Sequence, residues 1–441
     1  MHNSIVKKIP FPFKTYLKGR ENLQNIISNS AWLYAGRFIR MLVGLTVGVW
    51  VARYLGPEQF GLLSYTIAFV SFFQAIAMLG LNEVTVKYFV ETPDDIEKII
   101  GTVFYLKLAG SLIAIVLAYT VMLIWHPADT RLHTLVFIVA SGMAFQFVDV
   151  FKSINQARMK SNYTVIASIS GFLIANVLKV AFIVTGAPLE YFAFAGTIEV
   201  SIITLTMYII FRNTLNNDYS FVFCFKQAKE MLNLSWPLIV SGIAVLVYMR
   251  IDQLMLGEML SQKAVGIYTA ALRFSEIWYV IPTILVSSSL PVILEAKKAS
   301  VERQIELLQR LFSILVKIAL TASVVITFFS NDLIQLFYGK QYIEAASVLT
   351  VHIWASTFVF LGAASSSWII SNGYTKYSMM QTTAGAIVNI LLNLLFIPKF
   401  GPLGAAYATV ISYAVSGYLF NAVWPPARKI FILQSRAFVK L

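Results

Sequence analysis

The chain has 441 residues, of which 58% are hydrophobic and only 12% are charged, and its mean hydropathy is +0.74. Soluble domains carry about 25% charged residues, so this composition excludes a water-soluble globule, a disordered chain and a small disulfide-stabilised domain. The single cysteine, Cys224, leaves no second thiol for an internal disulfide. An integral membrane protein is predicted, and the net charge of +13 then indicates cationic cytoplasmic loops rather than nucleic-acid binding.

Twelve apolar stretches are long enough to cross a hydrocarbon core of roughly 30 Å as helices. The first 28 residues contain no apolar core of a signal peptide, so the first span itself is expected to direct insertion. The predicted spans are 29–52, 62–82, 100–125, 134–156, 163–186, 191–211, 232–256, 266–290, 311–330, 346–370, 378–398 and 403–424.

An even number of spans places both termini on one side of the membrane. If that side is the cytoplasm, the loops and ends there carry 22 Lys and Arg residues and the outer loops carry five. The positive-inside rule therefore predicts that both termini are cytoplasmic. The outer loops are short, which favours a transporter over an enzyme that works on glycans outside the cell. The longer cytoplasmic segment 291–310 is predicted to be an amphipathic surface helix.

The two halves of the chain resemble each other. Gly61 matches Gly266 at an offset of 205, and it is one of four matched positions in that stretch. Shorter matches occur in the same order before the first and seventh spans and near residues 188 and 402. We therefore predict two pseudo-symmetric six-helix lobes around a central cavity, an arrangement that works by alternating access. The predicted segments are a cytoplasmic N-terminal segment 1–28, an N-lobe 29–211, a cytoplasmic linker 212–231, a C-lobe 232–424 and a cytoplasmic tail 425–441.

Seven basic residues fall inside the predicted spans. A charge at the bilayer centre costs roughly 2.5–3.5 kcal/mol or more, so such residues usually face a bundle interior or a wet cavity. Lys107 and Lys317 lie near inner span ends, where snorkelling to the headgroups accounts for them. The other five are Arg37, Arg40, Lys179, Arg250 and Arg273.

Arg37 and Arg40 share one face of the first span, because they are three residues apart. One interpretation is a cationic wall that binds phosphate, which matches the planar fork of arginine. The other is helix packing through the nearby glycines, with the arginines snorkelling. Lys179 has no acidic neighbour on its own helix, and Glu199 in the sixth span is a candidate partner for it.

Two carboxylates in the second half are candidates for ion coupling. Asp252 is two residues from Arg250 and points to a different helix face, so it either binds Na⁺ or H⁺ or pairs with another helix. Glu276 is three residues from Arg273, and the two either neutralise each other or act directly. The four histidines show no metal-ligand spacing, and the chain has no phosphate-binding loop for ATP. We expect no cofactor or metal centre, and transport driven by a gradient.

The run VWVARYLGPEQFG at residues 49–61 resembles the Wzx-type polysaccharide flippases of the multidrug/oligosaccharidyl-lipid/polysaccharide exporter superfamily. So do IDQLMLG at 251–257 and VGIY at 265–268. The resemblance implies a bacterial inner-membrane flippase for an undecaprenyl-pyrophosphate-linked glycan such as an O-antigen unit. It also implies a cationic cavity, which favours the five basic residues above as its lining. A polysaccharide polymerase and a chain-length regulator are the expected protein partners.

Two other functions compete with that of a glycan flippase. A multidrug exporter of the same superfamily would share the fold, but its cationic substrates favour an acidic cavity, whereas basic residues outnumber deep acids here. A glycan polymerase or ligase would need a large outer loop carrying its chemistry, which the predicted topology lacks.

Overall fold

The computed structural model describes residues 21–215 and 220–439, and every regular element in these ranges is a helix. The rest, which includes most of the predicted N-terminal segment and part of the linker, lies outside the described residues. The helices of the first half are α1 (Glu21–Met78), α2 (Leu81–Glu91), α3 (Ile96–Trp125), α4 (Thr130–Ser141), α5 (Asp149–Ala157), α6 (Ser161–Val184) and α7 (Leu189–Leu215).

The second half continues with long helices that in several places are joined by single turns of another helix type. They are α8 (Phe225–Met259), α9 (Gln262–Glu276), α10 (Val280–Ala299), α11 (Val301–Tyr338), α12 (Ala345–His352), α13 (Ala355–Asn372), α14 (Thr375–Phe400), α15 (Pro402–Ala414), α16 (Phe420–Val423) and α17 (Arg428–Val439).

Eleven helical stretches of the described chain are long and apolar enough to cross a membrane. The first, Tyr34–Glu91, contains most of the first predicted span and all of the second. It bends inside α1 at Gly56, whose φ of 72° and ψ of 169° interrupt the helix, and Pro57 begins the next helical segment. Proline suits a first helical turn because it lacks an N–H and has a fixed φ. The prediction of an all-α polytopic membrane protein is confirmed.

The chain forms two compact units. Of the described residues, those up to 48 and those from 73 to 240 form one unit, and those from 49 to 72 and from 241 onward form the other. The second half of the chain thus packs with the short segment 49–72, which the sequence places in the first half. The predicted lobe boundaries stay a prediction.

Each unit has its own apolar core. In the first unit, α2, α3, α5 and α7 bury a cluster that includes Leu81, Ile99 and Phe151. In the second, α11, α13 and α17 pack around Phe312 and Phe360. Many apolar side chains on the outer surfaces of these helices remain exposed, as expected for helices that contact lipid.

The predicted amphipathic surface helix at 291–310 is wrong. α10 ends at Ala299, and Ser300 takes an extended backbone conformation that no helix contains. The Ser300 hydroxyl then accepts a hydrogen bond from the Arg303 amide at 3.1 Å and caps α11. The charged residues of this segment therefore lie on the ends of two long helices.

The predicted tail 425–441 contains an ordered helix. α17 buries Ile430, Leu433, Gln434 and Ala437 against the second unit. Gln434 is fully buried and donates to the Ser365 hydroxyl and to the Gly417 carbonyl, each at 2.9 Å. This polar contact anchors α17 to the membrane helices.

Candidate functional site

The structure places the predicted site residues in two separate sets. Arg37, Arg40 and Lys179 belong to the first compact unit, and the remaining residues belong to the second. The second set consists of Arg250, Asp252, Arg273 and Glu276.

Arg40 is held on two sides within the first unit. Its guanidinium donates to Glu199 at 2.9 Å and lies 5.0 Å from the ring centroid of Phe172. The Arg40 side chain remains 41% exposed. Glu199, which the sequence suggested as a partner for Lys179, thus neutralises Arg40 at least in part and fixes its position.

Arg37 lies one turn before Arg40 on α1 and is exposed. The nearby glycines pack against α6. A Cβ at Gly36 would lie 2.9 Å from Val165, and one at Gly44 would lie 3.4 Å from Phe172. Glycine packing and an accessible arginine therefore occur on the same stretch of α1. Lys179 is half-buried on α6.

In the second unit, Arg250 and Arg273 both lie close enough to act electrostatically on the carboxylate of Glu276. All three side chains are half-buried. The Arg273 guanidinium also lies 4.9 Å from the ring centroid of Phe60, a cation–π contact. Glu276 thus offsets the charge of one guanidinium, and the three side chains together keep a net positive charge.

Asp252 lies in a buried polar cluster formed by α8, α9, α14 and α15. Its side chain is 3% exposed. The hydroxyls of Tyr268 and Thr409 each donate to Oδ2 at 2.7 Å. The amide of Asn393 donates to Oδ1. All these partners are neutral, so among the described residues Asp252 has no basic hydrogen-bond partner, which argues against a structural ion pair with another helix.

The cluster offers several oxygen atoms to a cation. Asn393 uses its amide nitrogen on Asp252 and, at 3.2 Å, on the Asn389 carbonyl oxygen. The Asn393 carbonyl oxygen is buried without a hydrogen-bond partner among the described residues. Such an unpaired buried acceptor costs about 1–3 kcal/mol. One carboxylate surrounded by amide and hydroxyl oxygens is a donor set that suits a hard cation.

The sequence pointed to Asp252 but not to its partners. Asn389 and Asn393 are four residues apart in an otherwise apolar span, so their side chains share a helix face. That spacing is the signal that could have identified them. Tyr268 and Thr409 carry no such signal, because a single hydroxyl in a membrane helix commonly bonds its own backbone.

The interpretation of Lys107 as a snorkelling residue is wrong. Its side chain is 1% exposed, and the ammonium donates to Asn82 at 2.6 Å and to Asp149 at 3.2 Å. Lys152 binds the other oxygen of Asp149 at 2.8 Å. The sequence had paired Asp149 with Lys152 alone, since only those two share a helix.

Within the part of the chain that the structure describes, no three His, Cys, Asp or Glu residues form a group able to hold a metal ion. The His352 side chain is buried and is hydrogen-bonded through Nδ1 to the Ser275 hydroxyl at 2.7 Å. The candidate site therefore consists of basic side chains and the oxygen cluster at Asp252.

These features define a polytopic membrane transporter with charged groups inside its helical units. Residues 26–297 match the family of polysaccharide biosynthesis proteins, and residues 237–395 match the MatE family. The chain belongs to the polysaccharide biosynthesis protein family and is a polysaccharide flippase of the multidrug/oligosaccharidyl-lipid/polysaccharide exporter superfamily.

Two relatives come from the archaeon Haloferax volcanii. The probable flippase AglR is 23% identical over 411 residues, which cover 90% of this chain and 83% of AglR. The probable low-salt glycan biosynthesis flippase Agl15 is 26% identical over 200 residues, which cover 44% of this chain and 42% of Agl15. The alignment with Agl15 thus spans less than half the length of either protein.

A solved structure shows the same fold. The lipid II flippase MurJ in an inward closed conformation aligns with a TM-score of 0.72 at 18% identity, over 92% of this chain and 91% of MurJ. The expectation of an exporter-superfamily fold is thereby confirmed.

Proposed function

We propose that this flippase moves an undecaprenyl-pyrophosphate-linked oligosaccharide, such as an O-antigen, capsule or exopolysaccharide unit, across a bacterial inner membrane. The glycan enters from the cytoplasmic leaflet and leaves on the outer side by alternating access, with both termini in the cytoplasm. The single observation that carries the proposal is the partly accessible basic set in the first unit, where Arg37 is exposed and Arg40 is positioned by Glu199 and Phe172.

A diphosphate substrate needs basic side chains along its path. Its negative charge must cross the hydrocarbon core of the membrane, where an isolated ion is strongly disfavoured, so compensating cations lower the free-energy barrier to transport. Arginine binds phosphate through two parallel hydrogen bonds. The guanidiniums of Arg250 and Arg273 in the second unit, opposed by a single nearby Glu276, add to this capacity. A multidrug exporter for organic cations would be disfavoured by the same charges.

We propose that the cluster around Asp252 binds the coupling ion and that this ion is Na⁺. Each of the five side chains carries an oxygen atom, the cluster has one negative charge, and the unpaired carbonyl oxygen of Asn393 gains a partner when a cation binds. A monovalent cation matches that single charge. A proton on Asp252 is the alternative, and it would leave the Asn393 carbonyl without a partner.

The function proposed here involves no catalytic step in this chain. Its ligands are the lipid-linked glycan and the surrounding lipids. A polysaccharide polymerase and a chain-length regulator would act on the product after it reaches the outer leaflet, and direct contact with them belongs to the proposal.

A deletion strain that accumulates lipid-linked repeat units tests the function in cells. At matched expression, the wild type should restore surface glycan, and Arg37→Ala should leave repeat units in the inner leaflet. The control is Lys263→Ala, which removes an exposed lysine paired with Glu344 at the end of a helix and should restore the glycan fully. If the deletion leaves the surface glycan unchanged, the proposed substrate is wrong.

The carrier lipid is tested separately, since AglR and Agl15 are archaeal proteins. The purified protein is offered a glycan on undecaprenyl pyrophosphate and the same glycan on a polyprenyl monophosphate. Binding of the pyrophosphate form only supports the proposed substrate. Preferential binding of the monophosphate form would show that the proposed carrier lipid is wrong.

A further inference from the structure

The last helix of the described chain, α17, is fixed in its rotation against the second unit. The Gln309 amide donates to the Leu433 carbonyl at 3.1 Å. The Ser435 and Tyr418 hydroxyls are hydrogen-bonded at 2.8 Å, in addition to the contacts of Gln434 described above. One side of α17 therefore packs on the membrane helices, and its other side is left outward.

The outward side of α17 is mostly apolar. Ile432 is 47% exposed and Val439 is 86% exposed. A groove of about 480 Å³ runs along this side, and the described residues that line it are Phe431, Ile432, Ser435, Arg436 and Val439. Ligand sites in proteins commonly measure about 300–1,000 Å³. A helix on a water-exposed surface would carry polar residues here, so the groove suits a lipid.

The charges on α17 are all positive. Residues 425–441 contain four basic residues and no acidic residue. Lys429 and Arg436 are both exposed, and because they are seven residues apart they lie on the same side of the helix as Ile432. Among the described residues, Arg436 has no carboxylate partner. The outward side therefore offers an unpaired guanidinium beside an apolar groove.

Aromatic side chains mark the level in the membrane at which α17 begins. The ring of Trp424, just before α17, is stacked on Tyr377 with centroids 4.2 Å apart, and Tyr374 lies edge-on to it at 5.0 Å. Trp and Tyr side chains are enriched at the membrane–water interface. With 12 residues, α17 is too short to cross the membrane. These features place the start of α17 at the level of the lipid headgroups.

We propose that this outward side, termed here the α17 groove and formed by the five lining residues above, binds an anionic phospholipid. Its phosphate lies at Arg436, and one acyl chain follows Ile432 and Val439. A guanidinium donates two parallel hydrogen bonds to a phosphate, and its one positive charge matches the one negative charge of a phosphodiester. A diphosphate carrier bears more charge than Arg436 offsets. The inference does not depend on which glycan the protein moves.

Native mass spectrometry of the delipidated full-length protein tests the groove. The protein is titrated with dioleoyl phosphatidylglycerol or with dioleoyl phosphatidylcholine, which share their acyl chains and differ in headgroup charge. We expect the first phosphatidylglycerol to bind about tenfold more tightly than the first phosphatidylcholine. Arg436→Gln should weaken phosphatidylglycerol binding about fivefold and leave phosphatidylcholine binding unchanged. Equal phosphatidylglycerol affinities in Arg436→Gln and the wild type would overturn the proposal.

Two further variants separate the site from a general effect of charge. Arg303→Gln removes a surface arginine of the same unit whose charge is offset by Glu306, and it should keep the full preference for phosphatidylglycerol. Arg436→Lys keeps the charge and should retain most of that preference. A loss as large in Arg303→Gln as in Arg436→Gln would overturn a specific site at α17.

The apolar part of the groove has its own test. Ile432→Trp fills the groove from an exposed position, so it should weaken the binding of both lipids severalfold while the unfolding temperature without added lipid stays that of the wild type. Undiminished binding of both lipids in this variant would contradict an acyl chain in the groove.

A lipid in the groove should also stabilise the twelfth span. Val415–Leu419 form a turn of π-helix, and Gln434, on the buried side of α17, donates to the Gly417 carbonyl within that turn. A lipid that holds α17 in place preserves this hydrogen bond. Phosphatidylglycerol should therefore raise the unfolding temperature of the wild type more than that of Arg436→Gln. An equal rise in the two proteins would contradict binding at Arg436.

The mass spectra also distinguish other occupants of the groove. A wild-type dimer that dissociates in Ile432→Trp would assign the groove to a second copy of the chain. Undecaprenyl pyrophosphate that bound through Arg436 more tightly than phosphatidylglycerol would assign it to the transported carrier. Either result would overturn the phospholipid site. Absence of glycan transport, with the lipid binding as expected, would remove the proposed substrate and retain the α17 groove.

Discussion

Asn393 donates its side-chain amide to Asp252 while its own carbonyl oxygen, fully buried, has no hydrogen-bond partner among the described residues. A native interior rarely leaves such an acceptor unpaired. The amide thus orients the carbonyl beside the only carboxylate of the cluster. A cation that bound there would satisfy both groups at once, which is the basis of the Na⁺ site proposed for this flippase.

We expect Asn393→Leu to weaken Na⁺ binding at least tenfold, because it removes one oxygen ligand and the amide that orients Asp252. Asn393→Asp keeps an oxygen but also loses the amide, so any Na⁺ binding that it retains comes from the oxygen ligand. The measurement is the Na⁺-induced rise in melting temperature of the purified protein, with K⁺ replacing Na⁺ at constant ionic strength. Equal Na⁺ responses in the leucine variant and the wild type would contradict the proposed site.

Asp252→Asn should abolish the Na⁺ response altogether, since it removes the only charge in the cluster. Asp332→Asn serves as the control, because Asp332 is exposed on α11 and its replacement should leave the response intact. If a pH step, rather than Na⁺, produced the stabilisation in the wild type, the coupling ion would be a proton.

Glu199→Gln should strengthen binding of a pyrophosphate ligand. The Coulomb attraction of the Arg40–Glu199 pair at 2.9 Å is about 6 kcal/mol at an effective dielectric constant of 20. Because Arg40 is 41% exposed, solvent screening reduces that to about 1 kcal/mol, or roughly a fivefold gain in affinity. Isothermal titration with undecaprenyl pyrophosphate measures it. Weaker binding would show that Glu199 helps binding by positioning Arg40 more than it hinders binding by competing with the ligand for the guanidinium.

Asp149→Asn should destabilise the first unit by about 3 kcal/mol, because it leaves the ammonium of Lys107 buried without its counter-charge. The double variant Lys107→Met/Asp149→Leu should recover most of that loss, since neither charge then remains buried. Thermal unfolding in detergent reports the difference. Asp95→Asn is the control, as its partner Lys98 is 54% exposed. A single variant as stable as the wild type would refute a structural role.

Gln434→Leu should destabilise the second unit by about 1–3 kcal/mol, because it leaves the Gly417 carbonyl and the Asn421 amide without their buried partner. Ile432→Ala, an exposed position on the same helix, should have little effect. Unfolding monitored by the tryptophan fluorescence of the purified protein compares the two. Equal stability of both variants would mean that α17 contributes only through its apolar face.

The sequence predicted the membrane helices well, because a run of about 20 apolar residues is decided by local composition. The sequence-based prediction failed at Ser300. Periodicity alone indicated one helix over this charged segment, whereas Ser300 is the N-cap at which a new helix begins. The prediction also failed at Lys107, whose partner Asp149 is 42 residues away. Such pairings depend on tertiary packing and leave no trace in spacing along one helix.

The candidate site was likewise predictable from the sequence only in part. Intramembrane charge identified Arg40 and Asp252 directly, since each is costly in lipid and therefore conspicuous. The neutral residues that surround them, Phe172 beside Arg40 and Thr409 beside Asp252, are ordinary in a membrane helix. The sequence matches Gly61 with Gly266 as repeat positions, but only the fold shows that the helix backbones at these two glycines are in contact.

The most direct test of the flippase assignment is transbilayer movement in proteoliposomes. A fluorescent oligosaccharide on undecaprenyl pyrophosphate is placed in both leaflets, and a membrane-impermeant quencher reports the fraction on the outside over time. With an imposed Na⁺ gradient, we expect the wild type to redistribute the glycan within minutes and Arg37→Ala or Asp252→Asn to remain near the rate of empty vesicles. Redistribution at the rate of empty vesicles by the folded wild type, with or without the gradient, would contradict the account.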